Sequence, residues 1–165
     1  MSIGIDELMD MLSWNNDEET QKKGREIAKN VKCYSVFLQP RGEKHSMDVW
    51  DNCARILCNH SDDVLQSCFH GMLEWIAEVN NPGEEIIRKR LIRVQDTRLL
   101  AIEIEHCVKE ALACDLDGWL GAMSELLENE RLKEYLSPFV YKVLFVRYEQ
   151  GKRLCLTFEK GKTNK

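Results

Sequence analysis

The sequence predicts a mostly α-helical protein built from antiparallel helix pairs. Three observations predict it. Apolar residues recur three and four positions apart along most of residues 5–127, helix-starting residues interrupt that pattern repeatedly, and the connections between runs are short enough to favour antiparallel neighbours. A chain of 165 residues, 44% hydrophobic and 31% charged, is large enough to fold round one core without disulfides or metal. The expected organisation is a helical body over residues 1–138 and a C-terminal segment of different character over 139–165.

Ile5, Leu8, Met9 and Leu12 describe a first amphipathic helix that stops before Asn15-Asn16. An Asn cap followed by Asp17, Glu18 and Glu19 starts the second, with acids in the first turn where they oppose the helix dipole. Its inner face of Thr20, Gly24, Ile27, Ala28 and Val31 is small, which predicts a closely packed neighbour. Residues 33–47 contain Pro40 and Gly42 and read as a connection with a helical turn over Tyr34–Leu38. Trp50, Cys53, Ala54 and Leu57 resume the helical period.

Ser61-Asp62-Asp63 caps the clearest helix, with an apolar face of Val64, Leu65, Cys68, Phe69, Met72, Leu73, Ile76 and Val79 and a wet face of Gln66, His70, Glu74 and Glu78. Trp75 falls at the edge of the apolar face, where a half-exposed side chain is expected. Asn80-Asn81-Pro82-Gly83-Glu84-Glu85 reads as a stop followed at once by a start. Asp96 is placed to cap a helix burying Leu100, Ile104, Cys107, Val108 and Ala111, and Asp115 or Asp117 one carrying Trp119, Leu120, Met123 and Leu127.

The end differs. Val140 to Tyr148 is rich in β-branched and aromatic residues, and Leu154, Leu156 and Phe158 alternate with Cys155 and Thr157 beyond Gln150-Gly151, so a C-terminal β-hairpin is expected. A further helix through Phe139–Tyr148 is the alternative.

Charge and cysteine usage exclude several classes. The first twenty residues hold six acids and no Lys or Arg, the opposite of a basic signal-peptide start, and no run approaches the ~18 apolar residues of a membrane span. A cytoplasmic setting without membrane contact follows as the expectation, with the seven cysteines reduced. A net charge of −5 argues against nucleic acid as a partner. The basic tail, seven Lys or Arg against two Glu in residues 141–165, is the one segment that would suit phosphates.

Chemistry-bearing motifs are sparse. No Cys-x-x-Cys pair occurs, and Glu103-x-x-His106 lacks the second copy that a di-iron bundle requires, so neither a metal nor a cofactor is expected. His70 with Glu74 and His106 with Glu110 are one turn apart and read as surface pairs contributing roughly a few tenths of a kcal/mol each. There is no Gly-x-Ser-x-Gly elbow and no phosphate loop. A Cys–His pair assembled by the fold remains open as a catalytic alternative.

Internal similarity is faint. Leu12-Ser13-Trp14-Asn15-Asn16 precedes Glu18-Glu19 much as Leu73-Glu74-Trp75 precedes Asn80-Asn81 and Glu84-Glu85, as stacked helix pairs of the HEAT type would require. These motifs, with Trp50-Asp51-Asn52-Cys53-Ala54, resemble a family of small bacterial all-helical, HEAT-like proteins over roughly residues 5–127. The family's Asn-Trp-Pro-Gly loop has Asn81 in place of the Trp. The resemblance implies a bacterial helical module, and proteins of this style include immunity proteins that neutralise a cognate toxin. The expected function is therefore non-catalytic binding of a protein partner through Trp14, Asn15, Trp75, Asn80, Asn81 and Pro82. A small thiol-dependent enzyme is the alternative.

Overall fold

The computed structural model describes residues 3–162, with side chains through Cys155. Its helices are α1 (Ile5–Leu12), α2 (Glu18–Ala28), α3 (Met47–Cys58), α4 (Asp62–Leu65), α5 (Phe69–Trp75), α6 (Glu84–Ile92), α7 (Thr97–Ala113), α8 (Asp117–Ser124) and α9 (Pro138–Lys162), with short 3₁₀ turns between some of them. No strand occurs among the described residues. Each helix buries its stripe against the next layer: α1 and α2 pack together and on α3, α3 on α6, α5 on α6 and α7, α7 on α8, and α8 on α9. One continuous apolar core runs from Leu8 to Leu144.

Local physics explains most boundaries. The cap of α2 is Asp17, one residue after the expected Asn, and its carboxylate accepts the Thr20 N–H at 2.9 Å. On the α2 face, Gly24 lets α1 approach: a Cβ there would stand 3.0 Å from Leu12 Cδ2 and 3.1 Å from Met11 Cβ. The turn expected over Tyr34–Leu38 is a 3₁₀ turn at Tyr34–Phe37.

The single helix expected from Ser61 to Val79 is instead broken: α4 ends at Leu65, a 3₁₀ turn spans Gln66–Cys68, and α5 resumes at Phe69. Across the break Leu65, Cys68, Phe69, Met72, Leu73 and Ile76 all reach the core at the spacing the sequence predicts, while Val79 lies in the turn beyond the end of α5 and is 62% exposed. Asp62 stabilises the start of this segment from a distance, accepting from Arg90 at 2.6 Å and from the Gln95 and Asp96 N–H groups at 2.7 and 3.2 Å. Burial pulls its carboxyl pKa up, but these bonds together hold it below the usual range.

The C-terminal hairpin expectation is overturned, because Pro138–Lys162 is one helix. Pro138 occupies the first helical position, where its missing N–H costs nothing, and Ser137 Oγ accepts the Val140 N–H at 3.3 Å. Val140 and Leu144, one turn apart, are fully buried against the rest of the core. Packing of that stripe outweighs the weak β-preference of Val and aromatic residues, and Gly151 continues the helix at a cost of about 1 kcal/mol.

Candidate interaction surface at Trp14

Three of the four tryptophans are core residues with satisfied indoles. Trp50 Nε1 donates to Pro40 O at 2.9 Å, Trp75 Nε1 to Pro82 O at 3.1 Å and Trp119 Nε1 to Leu73 O at 2.7 Å. Trp14 is the exception, 51% exposed on the turn between α1 and α2.

That turn is held from several sides. The Trp14 N–H donates to Asp48 O at 2.9 Å, Asn15 Nδ2 to Ser13 Oγ at 3.2 Å, and Asn16 Nδ2 to Asp10 O at 2.6 Å. Beneath it lies Asn52 of α3, a buried amide whose Nδ2 donates to Leu12 O and Gln21 Oε1, each at 2.7 Å, while its Oδ1 accepts from Arg25. Arg25 in turn pairs with the exposed Glu18. Every buried side-chain nitrogen and oxygen among the described residues has a partner.

Beside Trp14 opens a cleft of about 520 Å³ whose wall includes Glu18, Gln21, Arg25, Asp48, Asp51, Asn52 and Arg55, with Ile86 of α6 on the far side. Its chemistry is mixed-charge and hydrogen-bonding around one large exposed indole. Of the six sequence-predicted binding residues only Trp14 lines this cleft. Asn15 is exposed on the same turn. Trp75, expected to be half exposed, is fully buried and holds the Asn80–Pro82 turn from inside. Asn80 is exposed on that turn, with Asn81 and Pro82 partly covered. Among the other cleft residues, Asp51 and Asn52 fall within the Trp50–Ala54 motif, which sequence reasoning does not assign to a binding surface, and Arg25 and Arg55 carry no motif; the trace in the sequence is the polar Asn52 among the apolar positions of α3.

The fold does assemble a Cys–His pair. Cys107 Sγ of α7 lies 3.7 Å from His70 Nδ1 of α5, and Glu103 Oε2 lies 3.2 Å from the same nitrogen. Glu74 and His106 extend the cluster, each with a 3.9 Å approach to His70 or Glu103 respectively. In place of the expected His106–Glu110 pairing, His106 approaches Glu103 one turn back on the same helix, and the packing of α5 on α7 brings His70 to Glu103 and Cys107. The thiol is fully buried, and burial together with Glu103, Glu110 and Glu74 pushes its pKa up to about 12. A thiol so placed stays protonated at neutral pH and is a poor nucleophile. No three His, Cys, Asp or Glu side chains among the described residues are placed to hold a metal ion. No described helix is long and apolar enough to cross a membrane.

Compared with known proteins, the chain matches no family model, no curated protein and no solved structure.

Proposed function

We propose that the chain is a non-catalytic helical module that binds a protein partner through the Trp14 surface. The observation that carries this reading is an indole 51% exposed on a turn fixed by hydrogen bonds to α1 and α3, next to a charged cleft. A large amphipathic side chain that loses little freedom on binding is the usual anchor of an interface. The exposed acids at the starts of α1 and α2, Asp6, Glu7, Asp17, Glu18 and Glu19, favour a partner with a basic contact face. In its most specific form the module is an immunity-type protein of the bacterial cytoplasm, its helix pairs stacked in HEAT-like fashion, and the partner is a toxin whose working surface it covers.

Capture of interacting proteins from the native lysate, wild type against Trp14→Ala, tests the reading. A single stoichiometric partner retained by the wild type and lost by the folded variant is expected, and expression of that partner alone should be toxic. Retention that is indifferent to Trp14 removes this surface from consideration.

A second reading, a thiol-dependent enzyme using Cys107 and His70, has the 3.7 Å Sγ–Nδ1 distance in its favour. Against it stand the buried, protonated thiol and the carboxylates round it.

A further inference from the structure

His45 sits in the loop before α3 and contacts a carboxylate with each ring nitrogen. Nε2 is 2.6 Å from Asp10 Oδ1 on α1, and Nδ1 is 2.9 Å from Asp48 Oδ2 on α3. An ionised carboxylate only accepts hydrogen bonds, so both contacts are satisfied together only when both ring nitrogens carry a proton, that is, when the ring is an imidazolium. The side chain is 15% exposed, which limits competition from water. The charged groups facing the ring are Asp10 from α1, Asp48 from α3 and, from its own loop, Lys44, which also pairs with Asp10.

We propose that His45 is a pH-operated latch that ties the carboxyl end of α1 to the start of α3 and so sets the position of Trp14. Loss of one proton leaves a single donor for two carboxylates. Asp10 is the more exposed of the two and retains Lys44, whereas Asp48 is largely covered, so the imidazole keeps its Nδ1–H on Asp48 and the link to α1 opens. The consequence reaches Trp14 by two short paths. Asp48 O accepts the Trp14 N–H, and Asp10 O accepts Asn16 Nδ2 two residues beyond the indole. Burial by itself drives the His45 pKa down, but the bonds to Asp10 and Asp48 together outweigh it and raise the pKa above its ordinary 6.5. The latch is therefore closed in mildly acidic solution and opens as pH rises through that raised value.

As regulation of the binding surface this inference rests on the function proposed above, but the latch is tested in the free protein, with no partner present. In ¹⁵N-labelled full-length chain, the His45 ring should show two protonated nitrogens at pH 6 and titrate with a midpoint above 6.5. The Trp14 indole N–H, identified by its loss in Trp14→Phe, should shift with the same midpoint. Asp10→Ala, which removes the acceptor and keeps the backbone carbonyl that holds Asn16, should abolish the Trp14 titration while the far-UV spectrum stays unchanged. A neutral His45 ring at pH 6, or a Trp14 titration that persists in Asp10→Ala, overturns the proposal. Should that variant fail to fold, the wild-type titration decides alone: coincident midpoints support the latch and separate ones overturn it.

Discussion

Asn52 shows how much one polar side chain can organise. It is buried, and its amide ties Leu12 O at the end of α1, Gln21 of α2 and Arg25 of α2 to α3. Asn52→Ala leaves the Leu12 carbonyl and the Gln21 side chain without their donor, and should destabilise the fold by about 1–3 kcal/mol in urea unfolding. A loss under a few tenths of a kcal/mol would mean that water replaces the amide at no cost. Cysteine chemistry sorts by burial at the same scale. Cys33, Cys114 and Cys155 are exposed and should react first with a mild disulfide reagent at pH 7.5, whereas Cys107 should react only on unfolding. Labelling of native Cys107 as fast as the exposed thiols, read by mass spectrometry, would move weight to the thiol-enzyme reading.

Among the elements, the turn before α6 is the most tightly specified. Gly83 has φ +80°, and a Cβ there would stand 2.8 Å from Ala54 Cβ, 2.9 Å from Trp75 Cζ2 and 3.0 Å from Trp50 O. Both the left-handed backbone and the space exclude a side chain, so Gly83→Ala should cost about 2–4 kcal/mol. Gly121, in the interior of α8 with nothing within 4 Å of a built Cβ, is the control: Gly121→Ala should stabilise by about 0.5–1 kcal/mol. Thermal denaturation of the two variants checks both signs. The Pro82-Gly83 pair was legible in the sequence as a stop and start, but the reason for the glycine was not, since it lies in α3 and α5 rather than beside it. The break between α4 and α5 was illegible for a related reason. A single 3₁₀ turn leaves the apolar spacing of the stripe intact and has no Pro or Gly to announce it.

At the scale of the whole molecule, two histidines give stability opposite dependences on pH. The raised pKa of His45 means that its contribution is full below about 6.5 and is lost as pH rises through the raised value. Burial lowers the pKa of His60, whose ring lies tilted against Tyr34 with centroids 4.0 Å apart, so its contribution is present above about 6.5 and is lost as pH falls through the lowered value. Asp48 and Asp62 behave as depressed carboxylates: burial raises them, their hydrogen bonds outweigh it, and their contribution is lost only as pH falls below about 3.8. His45→Gln removes one of the opposing histidines. The stability gap between wild type and this variant should therefore be widest below pH 6.5 and shrink towards pH 8.5 in urea unfolding, and a gap constant with pH would contradict the assignment.

The helical class and most of the core were legible in the residues alone, because a 3.6-residue period is a local property: Leu8, Leu12, Cys53, Leu57, Leu73, Ile104 and Trp119 all lie on stripes that are buried as their spacing requires. The sequence also marked Trp14 as a residue of interest, but it put the half-exposed side chain at Trp75. That distinction belongs to tertiary structure, since exposure depends on what covers a helix end, and Trp75 is covered by the turn that its own indole holds. The same reason decides the C-terminus. Val140–Tyr148 suits strand or helix locally, and the core that receives Val140 and Leu144 settles it as helix. The His45–Asp10 and Cys107–His70 contacts join residues 35 and 37 positions apart, on elements whose packing no local pattern encodes.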